Sequence, residues 1–316
     1  MEERDVSISA SGAQLSGTLC SPNPARPAAL VLMLHGTGPL DRNENMPGQR
    51  LDVFNTLSHG LCELGYASVR YDKRGCGKST GDYRRAGHAD LVADAVAWVD
   101  AIQAHGWQEP GRLYLLGHSE GCLIAPQVSR QRESVAGHIL LCPTIQPIEA
   151  VLMKQAAQIE RELTALAGLR GIVLRALTRL LGSPVVTQRR LIDRLKSTTS
   201  ETMRHGLRKI EARALRDLIA LDTHAVLAHV GRPMLLIGGE KDLQCQPEDV
   251  RAIAALNSGA EAHVIPHLTH LLRLDPGPAS ILAYAGLLKQ PVAPELVAII
   301  ARWLEQRHAG AGYGVP

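Results

Sequence analysis

Ser119, Asp242 and His270 are the residues of this chain best suited to covalent chemistry, and their local settings say why. Ser119 is the centre of Gly117-His118-Ser119-Glu120-Gly121, between a short run of strand character at 112–116 and a segment at 122–130 able to form a helix. A serine hydroxyl is a weak nucleophile until it is exposed, held at a helix N-terminus and set beside a base. A sharp strand-to-helix turn with flanking glycines gives it that presentation. The five-residue pattern alone also arises by chance as a packing turn, so its place between strand and helix carries the reading.

A nucleophilic serine needs a base, and the base needs a carboxylate to orient it. Asp242 closes Gly238-Gly239-Glu240-Lys241-Asp242, past a strand expected at 233–237. His270 lies in His267-Leu268-Thr269-His270-Leu271, past a strand expected at 262–266. His270 is thus placed to take the serine proton and return it to a leaving group. Glu240 and His267 compete for the two roles; distance past the strand ends favours Asp242 and His270, and leaves the others to loop hydrogen bonding. A developing oxyanion needs two donors. The backbone N–H of Glu120 is one, and Thr37, in His35-Gly36-Thr37-Gly38 after the apolar run 28–34, is expected to give the other. His35 is read as bracing that loop, without a catalytic part.

These residues require a scaffold of alternating strands and helices. The stretch 6–19 alternates as an antiparallel hairpin does, and Pro22, Pro24 and Pro27 end it before the buried strand 28–34. Helix 51–64, strand 67–71, helix 89–104 and strands 112–116 and 137–142 follow. From 148 to 220 the chain is helix-prone, and residues 151–222 hold 14 Lys or Arg against 7 Asp or Glu, while the remainder holds 20 against 24. The pattern predicts an inserted helical cap at 146–224 that divides an α/β core into 1–145 and 225–316, the second part completed by helix 247–256 and helix 295–306. Within the insertion, 170–182 reads as a basic amphipathic helix, with Arg175 and Arg179 one turn apart and Ile172, Leu174, Leu177 and Leu181 on its apolar side. A helix packed on the core with a solvated basic face is the plain reading; attraction of anionic substrates or contact with a membrane surface are the others.

Composition narrows the function classes. A chain of 316 residues buries a large core without cross-links, and a net charge of +3 is too small to argue for nucleic acid. Cys20, Cys62, Cys76, Cys122, Cys142 and Cys245 are scattered and form no CxxC pair, which suits reduced thiols. The start Met1-Glu-Glu-Arg-Asp is acidic where a secretory signal is basic and then apolar, and no run is long enough to span a bilayer. A cytoplasmic protein without stable membrane insertion is expected. Gly75-Cys76-Gly77-Lys78-Ser79 imitates the end of a phosphate-binding loop, but Asp72 stands where that pattern needs glycine. Asp72 and Arg74 are read as loop braces. With one Phe, six Tyr and three Trp in the chain, an acyl pocket would be lined mainly by aliphatic side chains.

Taken together, His35-Gly-Thr-Gly-Pro39 with Asp41-Arg42, Tyr71-Asp-Lys-Arg-Gly-Cys-Gly-Lys-Ser79, Gly117-His-Ser-Glu-Gly121, Gly239-Glu-Lys-Asp242 and Thr269-His270-Leu resemble the α/β-hydrolase superfamily. Within it the chain looks like bacterial serine esterases related to the serine aminopeptidase-like branch, over residues 28–143 and 230–305; the insertion resembles nothing recognised. The resemblance implies the α/β-hydrolase fold, a mostly parallel central sheet flanked by helices. It implies no metal or organic cofactor, a small-molecule acyl substrate, and ester hydrolysis through an acyl-enzyme. An aminopeptidase or thioesterase would use the same three residues, and a silent binding protein of this fold is the alternative of another class. A dehalogenase would want a carboxylate in place of Ser119. The Glu120 side chain either repels acidic substrates or points away from the site.

Overall fold

Strand β3 (Leu30–Leu34) shows how the core is built: all five side chains are apolar and all five are buried. Such a strand belongs in the middle of a sheet covered on both faces. In the computed structural model, which describes residues 1–22, 27–206 and 208–308, Leu30, Leu32 and Leu34 enter one apolar cluster and Val31 and Met33 the other. Burying each such side chain contributes about 1.5–3 kcal/mol. The loop that leaves the C-terminal end of β3, carrying Gly36 and Thr37, therefore hangs from a firmly held strand.

The sheet opens with the hairpin β1 (Glu2–Ala10) and β2 (Ala13–Ser21), then β3, helix α1 (Val53–Glu63) and β4 (Ala67–Tyr71). Helix α2 (His88–Ala104), β5 (Leu113–His118), α3 (Gly121–Ser129) and β6 (Val135–Leu141) complete its first part. After a long excursion come β9 (Met234–Gly239), α9 (Pro247–Leu256) and β10 (Glu261–Ile265), with α10 (Tyr284–Leu287) and α11 (Glu295–His308) closing the described chain. The eight strands lie in the order β1-β2-β4-β3-β5-β6-β9-β10. β1 pairs antiparallel with β2 and β2 with β4, and every other pairing is parallel. Trp98 on α2 packs with Leu123 and Val128 on α3 over one face. Phe54 and Leu57 on α1 and Leu296 and Trp303 on α11 cover the other. All parallel strands end on the same edge, and that edge carries the loops holding Ser119, Thr37, Asp242 and His270.

The excursion between β6 and β9 holds α4 (Ile148–Ala165), α5 (Gly168–Leu181), α6 (Pro184–Ser197), α7 (Ala212–Ala220) and α8 (Thr223–Leu227). It also holds a small hairpin, β7 (Met203–His205) with β8 (Arg208–Ile210), which the helix-prone composition did not announce. Two breaks explain the division. Gly182, at φ 95°, ends α5, and the β-branched and hydroxyl residues from Thr198 onward stop α6 before the hairpin turn at Gly206, φ 58°. On α5 Leu169, Ile172, Val173 and Leu180 are exposed, while the side chains of Arg170, Arg175, Leu177, Arg179 and Leu181 lie outside the described ones, as does that of Arg208. No helix among the described residues is long and apolar enough to cross a membrane.

Candidate active site

Ser119 joins β5 to α3 with φ at 53°, a left-handed conformation costly for a residue with a Cβ. Its neighbours make the turn possible. A Cβ on Gly117 would fall 2.3 Å from the Gly121 carbonyl oxygen, and one on Gly121 would fall 2.0 Å from that of Leu34. The turn is pinned by Ser119 N–H donating to the Leu141 carbonyl at 3.0 Å and by Cys122 N–H donating back to the Ser119 carbonyl at 2.9 Å. The hydroxyl is thereby presented at the N-terminus of α3 on the sheet edge.

Asp242 and His270 meet it from the loops after β9 and β10. His270 Nδ1 lies 2.8 Å from Asp242 Oδ2, and His270 Nε2 lies 3.1 Å from Ser119 Oγ. The tautomer with its proton on Nδ1 satisfies both contacts, leaving Nε2 to accept the serine hydroxyl. The second oxygen of Asp242 accepts the backbone N–H groups of Gln244 and Cys245, each at 2.8 Å, which fixes the carboxylate. Asp242 and His270 are both buried. Glu240 and His267 are exposed and bonded to each other, the His267 N–H donating to Glu240 Oε2 at 3.1 Å. Neither lines the cavity over Ser119.

The loop after β3 runs close to Ser119, since a Cβ on Gly36 would meet that of Ser119 at 3.4 Å. Lys73 Nζ donates to the carbonyls of Gly36 at 2.6 Å and Gly38 at 3.2 Å, and the Tyr83 hydroxyl accepts Gly38 N–H at 3.0 Å. A planar trans peptide points its N–H opposite to its carbonyl. Drawing the Gly36 carbonyl to Lys73 therefore sends the Thr37 N–H the other way. The N–H groups of Thr37 and Glu120 have no acceptor among the described residues. The Glu120 side chain is buried and turned to His88 Nδ1 at 3.2 Å, with Lys73 Nζ 3.8 Å away. Burial alone would raise its pKa, but the Lys73 charge and the hydrogen bond with His88 outweigh that and lower it. Its charge is answered within the protein.

A second buried brace was not singled out in the sequence. Glu44, at φ 64°, accepts Gly36 N–H at 2.8 Å through Oε1 and receives His118 Nδ1 at 2.9 Å on Oε2. The other nitrogen of His118 lies 3.1 Å from the His270 backbone carbonyl. Both partners are acceptors, so His118 donates from both nitrogens and is an imidazolium. Burial opposes that charge, but Glu44 outweighs it and raises the His118 pKa, while the same pairing lowers that of Glu44. One ion pair thus ties the loop beside Ser119 to the loop carrying His270. His118 occupies a free position of the five-residue pattern and Glu44 lies in an irregular loop, so neither spacing nor periodicity marked them. His35 packs against the rings of Phe54 and Tyr71, and burial pulls its pKa down to about 4. Asp72 accepts Arg42 Nη2 at 2.7 Å and Lys78 N–H at 2.9 Å, and Arg74 Nε reaches Asp94 at 2.7 Å.

The cavity over Ser119 measures about 450 Å3 and is walled largely by aliphatic side chains, among them Leu40, Leu123, Val151, Leu218 and Leu271. Its polar lining includes Gln49, Thr144, Gln155, Gln244 and Tyr284. Potential metal-ligand atoms converge at Cys142, Asp242 and His270 and at Glu3, Cys20 and His59. In both clusters the histidine is already bonded to the carboxylate. All six cysteines are free and buried.

The model of the family described as serine aminopeptidase, S33, matches residues 25–277. The chain belongs to this family. It is an α/β-hydrolase enzyme, as its sheet leads one to expect. It is 24% identical over 315 residues to the esterase EstD of Thermotoga maritima, a match covering 96% of this chain and 67% of that protein. Among solved structures, Est1E of Butyrivibrio proteoclasticus with ferulic acid bound superposes at a TM-score of 0.62 and 19% identity, over 96% of this chain and 99% of that one. The α/β-hydrolase GrgF of Penicillium sp. sh18 gives a TM-score of 0.62 at 15% identity, over 98% and 100%. At these identities the two structures speak to the fold this S33 protein shares with them.

Proposed function

We propose that the protein hydrolyses carboxylic esters of aliphatic acids through an acyl-enzyme on Ser119. The observation that carries this reading is the continuous hydrogen-bonded line from Asp242 through His270 to Ser119 Oγ, at 2.8 and 3.1 Å, opening onto an apolar cavity. In the first step Ser119 Oγ attacks the ester carbonyl while His270 Nε2 takes its proton; Asp242 holds the Nδ1–H and stabilises the imidazolium. The tetrahedral oxyanion is received by the N–H groups of Thr37 and Glu120. Collapse expels the alcohol, protonated by His270, and water then repeats the sequence on the acyl-enzyme. The segment 146–224 serves as a cap over this site.

Ester cleavage is favoured over release of N-terminal amino acids by the charges in the cavity. An aminopeptidase must hold the substrate's ammonium group, which calls for a free carboxylate. The acids lining this cavity are Glu44 and Glu120, both buried, the first paired with His118 and the second with Lys73 and His88. The likeness to the Thermotoga maritima esterase agrees with this choice.

The test is labelling of the purified protein with a fluorophosphonate, with Ser119→Ala as control, followed by kcat/KM on matched acyl esters, thioesters and aminoacyl amides. Labelling that disappears in the variant, with esters the preferred class, is expected. A folded wild-type protein that resists the probe and turns over no ester would overturn the proposal, and a preference for aminoacyl amides would replace the substrate class.

A further inference from the structure

The cavity over Ser119 has a neighbour. Leu152 and Gln155 on α4 line both it and a second cavity of about 400 Å3. The second one continues between α4, α5 and α6, walled by Ala156, Ile159 and Leu163 from the first helix, Leu174 from the next and Leu191 from the third. Along α4 the lining positions 148, 151, 152, 155, 156, 159 and 163 recur every three or four residues, so they form one stripe down one side of the helix. The stripe begins at Ile148 in the cavity of the nucleophile and ends at Leu163, about 22 Å away at 1.5 Å per residue. Gln155 is its one polar member, and its amide reaches Gln244 Oε1 at 3.4 Å, a long bond at the junction of the two spaces.

We propose that the two cavities form a single channel for a long unbranched acyl chain, whose carbonyl lies at Ser119 and whose methyl end passes Leu152 and Gln155 to lie among α4, α5 and α6. The inference rests on Ser119 being the acylated nucleophile and names the substrate class of that site. Its dimensions suit the occupant: the acyl chain of one bilayer leaflet extends about 15 Å, half of the ~30 Å hydrocarbon core, and fits within the stripe. Its chemistry suits it along the α4 side, where leucine, isoleucine and alanine reward each added methylene by about fourfold in binding, while Thr178, Thr187, Gln188 and His205 complete the lining of the second cavity. In this arrangement Gln155 yields its weak bond to Gln244 as the chain passes, which makes Leu152 and Gln155 the residues that set how long an acyl group is accepted.

The experiment is a series of p-nitrophenyl esters, butanoyl, octanoyl and hexadecanoyl, assayed with wild-type protein and with Ile159→Trp and Leu191→Trp, which fill the second cavity from opposite walls. Wild-type kcat/KM is expected to be at least tenfold higher for hexadecanoyl than for butanoyl ester. Each Trp variant should lose at least tenfold on hexadecanoyl ester while keeping butanoyl activity within twofold, and that retained activity shows that the variant is folded. The channel is overturned if wild-type activity falls away beyond octanoyl, or if both variants keep the hexadecanoyl rate. Butanoyl turnover and fluorophosphonate labelling in that case leave Ser119 as nucleophile and remove only the channel; the absence of both removes the underlying reading too.

Discussion

Single side chains divide here into those expected to react and those that hold them. Ser119→Ala and His270→Ala should each lower kcat by about a thousandfold or more with an unchanged melting temperature. His267→Ala should stay within a few-fold of wild type, because the ring is exposed and the backbone is what is engaged, with Glu240 and Asp275. A crippled His267→Ala and an active His270→Ala would reverse the assignment. Asp242→Asn should retain measurable turnover, since in the proposed mechanism the carboxylate orients and stabilises the imidazolium without taking the proton itself. The Glu44–His118 pair makes a further prediction through pH. The raised pKa of His118 means that its contribution to stability is full below the ordinary histidine value, about 6.5, and is lost as pH rises through the raised one. The lowered pKa of Glu44 means that its share is full above the ordinary glutamate value, about 4.3, and is lost as pH falls through the lowered one. Glu44→Gln keeps an acceptor for Gly36 N–H but removes the charge, and breaking a buried pair of this kind costs about 3–5 kcal/mol. The gap in melting temperature between wild type and Glu44→Gln should therefore be widest near pH 5–6 and shrink toward alkaline pH. A gap that stays constant from pH 5 to pH 9 would sink this account of the pair. The residues proposed to react were legible in the sequence because they terminate recognisable strands at recognisable offsets. Glu44, His118, Lys73 and Tyr83 were not, because a brace is defined by what it touches, here Glu44 with His118, Lys73 with Gly36 and Tyr83 with Gly38, each more than 30 residues apart, and single-sequence spacing carries no such information.

At the level of elements, the turn between β5 and α3 is the least forgiving piece of the fold. Gly121→Ala would drive a methyl group against the Leu34 backbone carbonyl, where no side chain can swing aside. The expected outcome is a destabilisation beyond about 4 kcal/mol, or insoluble protein, with loss of fluorophosphonate labelling. A soluble Gly121→Ala variant that labels at the wild-type rate would show that β3 can retreat from α3. Gly12→Ala supplies the contrast: a Cβ there meets nothing within 4 Å, and only its φ of 78° opposes the change. Strands and helices of the sheet could be read from sequence because β3, β5 and β9 are buried on both faces and so carry apolar runs at 30–34, 113–116 and 234–237, while α1 and α9 end at clear breakers or begin at proline. The β7–β8 hairpin escaped that reading because its strands are three residues each and Arg204, Arg208 and Lys209 give them no apolar alternation.

Over the whole molecule, the segment between β6 and β9 is joined to the sheet portion by polar contacts at several places. One is Glu162 on α4, whose carboxylate accepts the Ser280 hydroxyl at 2.6 Å and the N–H groups of Ile281 at 3.0 Å and Leu282 at 3.1 Å. The loop it holds leads into α10, where Tyr284 and Ala285 form part of the wall facing Ser119. Glu162→Ala should accordingly raise KM while kcat changes little, and should speed limited proteolysis around 276–283. An unaltered KM together with unaltered proteolysis would mean that the loop holds its place unaided. Arg85 with Glu201 and Arg213 with Asp90 make further ties at 2.6 and 3.1 Å, all exposed or half-exposed and so individually weak.

β6 and β9, the strands between which the chain leaves and re-enters the sheet, are direct neighbours, with His138 opposite Met234 and Leu141 opposite Ile237. The excursion of more than ninety residues thus starts and finishes at one seam, and closing a longer or shorter loop across fixed ends changes the entropy only logarithmically. A change in the length of the segment between the two strands therefore need not disturb the β6–β9 pairing, on which the approach of Asp242 to His270 and Ser119 rests.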